Sequence, residues 1–128
     1  GVNLKGVMGA GIAKTVSSRY PAIMEPYRRA CRTGELHLGG YQVWEAPDGL
    51  LIVNLATQQE LGRDARLWAV ADSVRSAIDD LVGRGVRRFG VPQLGAGIGG
   101  LEWTQVRSVL ERISAEADID LVAVTYDR

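Results

Sequence analysis

Pro92-Gln93-Leu94-Gly95-Ala96-Gly97-Ile98-Gly99-Gly100-Leu101-Glu102-Trp103 is the stretch on which the fold is read. The run Val86–Pro92 ahead of it has the character of a strand. Behind it, Glu102–Ala117 carries Val106, Val109, Leu110 and Ile113 at helical spacing. Glycines between a strand and a helix let the backbone approach an anion without Cβ interference and take φ > 0. A helix start adds unpaired N–H groups and the positive end of the helix dipole. A second loop of the same make, Gly6-Val7-Met8-Gly9-Ala10-Gly11-Ile12-Ala13, opens a helical stretch over Gly9–Arg19 that Pro21 stops. Two such loops in one small domain imply two walls around one diphosphate.

Outward from these loops the chain alternates. Ala22–Arg32 reads as a helix closed by Gly34, with Ile23, Tyr27, Ala30 and Cys31 on one stripe. Leu36–Ala46 reads as extended, Pro47-Asp48-Gly49 as a turn, and Leu50–Leu55 as a short strand buried on both faces. Thr57–Arg63 is a polar loop. Asp64 is placed to N-cap the clearest helix, in which Leu67, Val70, Ala71, Val74, Ala77, Ile78, Leu81 and Val82 recur up to Gly83. Ile119–Thr125 closes the chain as a strand. Strands alternating with helices predict an α/β domain, its sheet parallel or mixed with helices on both faces. Ligands bind such sheets at the carboxyl ends of strands, where both glycine loops and the Asn54–Arg63 loop converge on one crevice.

The chain has 128 residues, enough for one domain and one core, with 46% hydrophobic and 23% charged residues. Its formal net charge is zero, which removes a bulk basic field for nucleic acid and leaves room only for a local patch. A single cysteine, Cys31, excludes an intrachain disulfide; with a single histidine, His37, there is no Cys/His zinc set, and no metal-ligand spacing occurs elsewhere. A reducing, cytoplasmic setting is the simplest reading. No apolar run reaches membrane-spanning length and no signal peptide is visible. Gly1-Val2-Asn3-Leu4 reads as the tail of a buried strand with no methionine ahead of it. The expectation is a single domain over 1–128, truncated at its N-terminus.

Each motif has a plain reading beside the functional one. Gly95, Gly97 and Gly100 fit G-x-G-x-x-G, but too little sequence follows for a dinucleotide fold, and Asp118 and Asp120 precede the last strand instead of ending it. A nicotinamide enzyme is therefore the weakest option. A tight turn alone explains one or two of these glycines, not four in six residues. Lys5 and Lys14 flank the first loop, either to meet phosphate or simply as solvated lysines. Asn3 is either a turn former or an amide holding a sugar hydroxyl or water. Trp103 either stacks on a ring or fills the core, and Tyr126 either stacks or is an ordinary strand tyrosine. Trp44 and Trp68 are assigned to packing, Cys31 to an inert packed position, His37 to the surface, and Asp72, Asp79 and Asp80 to a solvated helix face.

The two loops together resemble the macrodomain family, in its DarG-type and terminal ADP-ribose glycohydrolase branch. Val2–Ala13 is similar to the branch's V-N-x-x-G-V-M-G-x-G-I-A stretch, and Pro92–Trp103 to its P-x-[LI]-G-x-G-x-G-G-L-x-W signature. Tyr27, Cys31, Gly34 and Gly39 lie in a further similar stretch, so nearly the whole chain is covered. The resemblance implies a three-layer α/β/α fold with a mixed, mostly parallel sheet and ADP-ribose in the crest crevice, with no cofactor. Gly6, Val7, Met8, Gly9, Gly11, Ile12 and Ala13 would pack on the distal ribose. Leu94, Gly95, Ala96, Gly97, Ile98, Gly99 and Gly100 would wrap the diphosphate with backbone N–H groups, and Thr57, Pro92, Leu101 and Trp103 would also belong to the ligand site. Asn3 would sit at the scissile C1″ bond. Partners would be ADP-ribosylated DNA or protein and a toxin ADP-ribosyltransferase, with the domain itself a monomer.

Two departures from the family pattern bear on activity. The strands before Asn3, which carry an acidic residue for adenine, are absent, so the fragment is expected to be less stable. The catalytic lysine after the loop threonine is replaced by Gln58, or by Gln59 if the alignment slips by one, and the second-loop aspartate of the human terminal ADP-ribose glycohydrolase corresponds to Gly99, as it does in DarG-type domains. A neutral amide cannot act as nucleophile or general base. Two functions follow: a hydrolase in which Asn3, Gln58 and the ligand phosphate place water, or a reader that binds ADP-ribose without turnover.

Overall fold

A computed structural model describes residues 1–124 of the chain. Four helices and four strands follow one another: α1 (Gly11–Arg19), α2 (Met24–Thr33), β1 (Tyr41–Glu45), β2 (Leu51–Leu55), α3 (Leu67–Gly83), β3 (Arg88–Val91), α4 (Trp103–Glu116) and β4 (Asp120–Ala123). Short 3₁₀ turns cover Pro21–Ile23 and Gly97–Gly99. The end of the expected last strand and Tyr126 lie outside the described residues.

Pairing is mixed. β1 and β2 form an antiparallel hairpin from Tyr41↔Leu55 to Glu45↔Leu51, closed by the Pro47–Gly49 turn read from the sequence. β3 and β4 are parallel, from Arg88↔Asp120 to Val91↔Ala123. Val2 adds a parallel bridge to Ala56, just beyond β2. The parallel character expected of the sheet is met at β3–β4 and at Val2, while β1–β2 runs antiparallel.

The three layers follow from strand periodicity. Tyr41, Leu51, Val53 and Leu55 point one way, into a core with Val70, Val74, Ala77, Ile78 and Leu81 of α3 and Val106, Leu110 and Ile113 of α4. Trp44, Ile52 and Ala56 point the other way, into a second core with Ile23, Tyr27, Ala30 and Leu36. Helices therefore cover both faces of the hairpin. α3 is the anchor: burying Val70, Val74, Ile78 and Leu81 stabilises by about 1.5–3 kcal/mol each, and Leu81→Ala would cost roughly 2–5 kcal/mol, while Val82, expected on the same stripe, is exposed.

Several boundaries moved, each for a local reason. α1 begins at Gly11 instead of Gly9, because Ala10 is extended (φ −150°, ψ 162°). The expected Ala22–Arg32 helix is split, Pro21 starting a 3₁₀ turn before α2. The expected Leu36–Ala46 strand shortens to β1, since Gly40 N–H donates to His37 O (2.8 Å) in a turn that Gly39 allows with φ +83°. Leu51, Ile52 and Val53 are only half-buried, although β2 does pack on both faces. Asp64 does not cap α3. Arg66 holds the cap position without a side-chain bond, and the Asp64 carboxylate turns back into its own loop.

Candidate functional site

The first loop, the β2–α3 loop and the second loop line one cleft of about 530 Å³, within the size range of small-ligand sites. Asn3, Val7, Gly9, Gly11, Ile12 and Ala13 form one wall, Thr57 and Gln58 the floor, and Pro92 and Leu94–Gly99 the opposite wall. Gly1, Val2, Ala10, Leu61, Gly62 and Gln93 also line it and were not singled out from sequence. Among the described residues, its walls carry no Asp, Glu, Lys, Arg or His side chain.

Five of the sequence-derived site residues stand outside these walls. Met8 is buried in the second core. Gly6 backs onto α2: a Cβ there would lie 3.1 Å from Arg28 Cγ, and Arg28 Nε donates to Gly6 O (3.2 Å). Gly100 rests against the Arg63 side chain, with Nε 3.2 Å from an added Cβ. Leu101 and Trp103 pack on the first core, so the core reading of Trp103 is the one its placement supports.

The first loop is pegged by side chains. Asn3 Nδ2 donates to Val7 O (2.8 Å), and Asn3 Oδ1 accepts from Lys5 N–H (2.9 Å). Tyr27 Oη donates to Asn3 O (2.6 Å), and burial raises its hydroxyl pKa above the ordinary range. Asn3 thus serves as the turn former of its two readings. One Nδ2 hydrogen is left for the cleft. α1 begins inside this loop with no side-chain cap at Ala10, so its first N–H groups line the cleft at Gly11–Ala13. The partly buried Cys31 lies beside Tyr27, its thiol pushed up by burial.

Crowding shapes the second loop. A Cβ on Gly95 (φ +71°) would stand 2.7 Å from Leu101 Cδ1 and 3.2 Å from Ala65 Cβ. A Cβ on Gly99 would stand 2.9 Å from Ala65 Cβ, so an aspartate does not fit on this backbone. The loop does not run straight into a helix start. The 3₁₀ turn Gly97–Gly99, left-handed Gly100 (φ +88°) and extended Glu102 intervene before α4. The backbone it brings to the cleft is therefore that of Leu94–Gly99 and their turn, not the N-terminus of α4.

The β2–α3 loop locks itself. Gln58 Nε2 donates to Glu60 O (2.7 Å) and Gly62 O (2.9 Å). Two carbonyl partners fix the orientation of the amide and use both of its hydrogens. Gln58 Oε1 is left as an acceptor against Gly99, 3.3 Å from where a Cβ there would lie. Gln59 lies off the cleft, its N–H donating to Asp64 Oδ2 (2.9 Å) beside that of Glu60 (2.8 Å). The Glu60 N–H first, then the Gln59 N–H and Arg66, hold the Asp64 carboxyl below its ordinary range. Leu4 N–H to Gln59 O (3.2 Å) and a Lys5–Glu60 ion pair (3.2 Å) zip this loop to the first, so Lys5 is occupied by a carboxylate.

His37 is exposed, and no cluster of three metal-ligating side chains occurs among the described residues. No helix among them is long and apolar enough to cross a membrane.

Known proteins share this architecture. The chain is 32% identical over 131 aligned positions to the DNA ADP-ribosyl glycohydrolase of Mycobacterium tuberculosis, covering 98% of this chain and 36% of that protein. It is 26% identical to a DNA ADP-ribosyl transferase–DNA ADP-ribosyl glycohydrolase fusion protein of Thermosipho africanus, covering 92% of this chain and 35% of the fusion. The chain thus spans little more than a third of the length of these relatives. The solved macrodomain of Mycobacterium tuberculosis DarG superposes with a TM-score of 0.88 at 30% identity, covering 99% of this chain and 86% of that one. The Macro domain family model matches residues 1–110, and the chain belongs to that family.

Proposed function

We propose that this domain binds ADP-ribose across the cleft and hydrolyses the bond joining ADP-ribose to a nucleic-acid base or protein side chain. The observation that carries this reading is the convergence of two amide-rich loops on a cleft without ionisable side chains. Such walls bind a diphosphate through fixed N–H dipoles without desolvating a paired charge. The names of the relatives support a DNA base as the group removed. Water would add to C1″ of an oxocarbenium-like transition state. The glycosidic electrons pass to the leaving base or side chain, which takes up the proton the water gives. Gln58 Oε1, the spare Asn3 Nδ2 hydrogen and the ligand's own phosphate are the groups available to orient that water. A DNA ADP-ribosyl transferase is the partner that the fused Thermosipho relative suggests, and the cytoplasm is the setting proposed.

Gln58 in the lysine position favours a second reading, a module that binds without turnover. Calorimetric titration with ADP-ribose tests the cleft, with micromolar affinity expected. Incubation with ADP-ribosylated oligonucleotide tests chemistry: free ADP-ribose released by catalytic amounts of protein supports the hydrolase, and binding without release supports the reader. Gln58→Lys is expected to raise release by about 100-fold, the scale of one placed acid–base group.

A further inference from the structure

Each of the three cleft loops holds one large apolar side chain in solvent at the mouth: Val7 is 42% exposed, Leu61 56% and Ile98 59%. Three of the seven exposed large hydrophobics among the described residues therefore ring one opening. Val7 and Ile98 lie on the loops assigned to ADP-ribose itself. Leu61 lies on neither.

Leu61 is held outward by design of its loop. The Gln58 amide grips the carbonyls on either side of it, Glu60 O and Gly62 O. Asp64 takes the N–H groups of Gln59 and Glu60, and its own N–H donates to Gly62 O (3.0 Å). With the loop's polar groups turned inward on each other, its one large apolar side chain is presented rigidly and unpartnered. Arg63 follows two residues later, exposed, with its stem across Gly100 and no ion pair among the described residues.

From this we propose that Leu61 and Arg63 are specificity-determining residues for the group that carries ADP-ribose: Leu61 packs on the face of a nucleobase, and Arg63 meets the adjoining phosphodiester. The inference rests on the glycohydrolase reading above and deepens it. An apolar contact beside a free cation matches an unstacked base on its charged backbone.

The test compares wild type, Leu61→Ser, Leu61→Met and Arg63→Gln on an ADP-ribosylated single-stranded oligonucleotide and on an ADP-ribosylated protein, with ADP-ribose affinity measured alongside. Leu61→Ser is expected to raise KM for the oligonucleotide about tenfold, the scale of an unburied leucine, and to change ADP-ribose Kd and the protein substrate's KM several-fold less. Leu61→Met restores it. Arg63→Gln lowers the slope of log KM against log salt by about 0.7, one phosphate contact to a single strand. If Leu61→Ser acts as wild type, or slows the protein substrate equally, the proposal is overturned while the glycohydrolase reading stands. If wild type releases ADP-ribose from neither substrate, both fall.

Discussion

The two glycine loops face each other across the cleft and are held in place by opposite means. Gly6–Ala13 is pinned by polar side chains reaching in from outside it: Asn3 on Val7 O, Tyr27 on Asn3 O, Arg28 on Gly6 O. Gly95–Gly100 is pinned by lack of space, with Leu101 and Ala65 against its glycines and main-chain bonds from Leu101 to Gly95 O (2.9 Å) and from Ala65 to Gly99 O (3.1 Å). One task, fixing the backbone of a cleft wall, is solved once by polar side-chain bonds and once by removing volume. At the positions lining the cleft the loops should accordingly fail under different substitutions: the first when a polar group is deleted, the second when a methyl is added at Gly95 or Gly99.

The largest effect is expected from Gly95→Ala. The new methyl meets Leu101 at 2.7 Å on a backbone with φ +71°. Overpacking and left-handed strain together cost about 2–4 kcal/mol. Denaturant unfolding should show a lower midpoint at unchanged slope, and ADP-ribose affinity should fall with it. The matched substitution in the first loop, Gly11→Ala, meets no atom within 4 Å although φ is +59°. It should cost only the backbone term, about 1 kcal/mol. Equal losses at the two sites would remove the contrast.

Deleting the pegs reverses the asymmetry. Tyr27→Phe loses one buried hydrogen bond and leaves Asn3 O short of a donor; Asn3→Ala loses the Val7 and Lys5 contacts together. Each should cost about 1–2 kcal/mol. Amide exchange should quicken at Lys5 and Val7 and stay unchanged at Leu101, whose bond to Gly95 O these side chains do not touch.

This contrast also marks what the sequence alone made legible. The glycine spacing and the apolar stripes of α3 and α4 located both loops, because period and punctuation are local signals. Position after a buried strand brought the Asn54–Arg63 loop to the cleft, but Thr57 and Gln58 within it were singled out only by resemblance to the family's threonine–lysine loop. What stayed hidden was tertiary. Nothing near Gly99 in the chain announces that Ala65 will stand on it, and Asp64 carries the same N-cap signal whether it caps α3 or folds back on Glu60. Leu61 read as one residue of a polar loop. Its exposure at the cleft mouth depends on Gln58 gripping both neighbouring carbonyls, a geometry with no sequence signature. Met8 and Trp103 belong to glycine-loop motifs yet point into the two cores, since motif membership does not tell which way a side chain faces.

Neither loop supplies a titratable side chain to the cleft. ADP-ribose release should therefore be flat from roughly pH 6 to 9, without the limbs that a placed acid and base produce. Gln58→Lys should add a limb to that profile. A bell-shaped wild-type curve would mean that a group beyond the two walls performs the chemistry.

The smallest effect belongs to the strap that joins the walls. Asp64 is held below its ordinary value of 3.8, chiefly by the Glu60 N–H. A carboxyl depressed on folding stabilises above its unfolded pKa, and that contribution is lost as pH falls through the folded value. The Gln58–Asp64 loop should thus be unchanged from neutrality down to about pH 4 and loosen only below it, and since Asp64 is solvent-screened the change in global stability should be slight. Exchange or line-broadening at the Gln59 and Glu60 amides is the measurement. Asp64→Ala should reproduce the acid state at neutral pH. If those amides loosen while the Lys5 and Leu101 amides do not, the strap positions Leu61 without holding either glycine loop, and the two walls are independent of it.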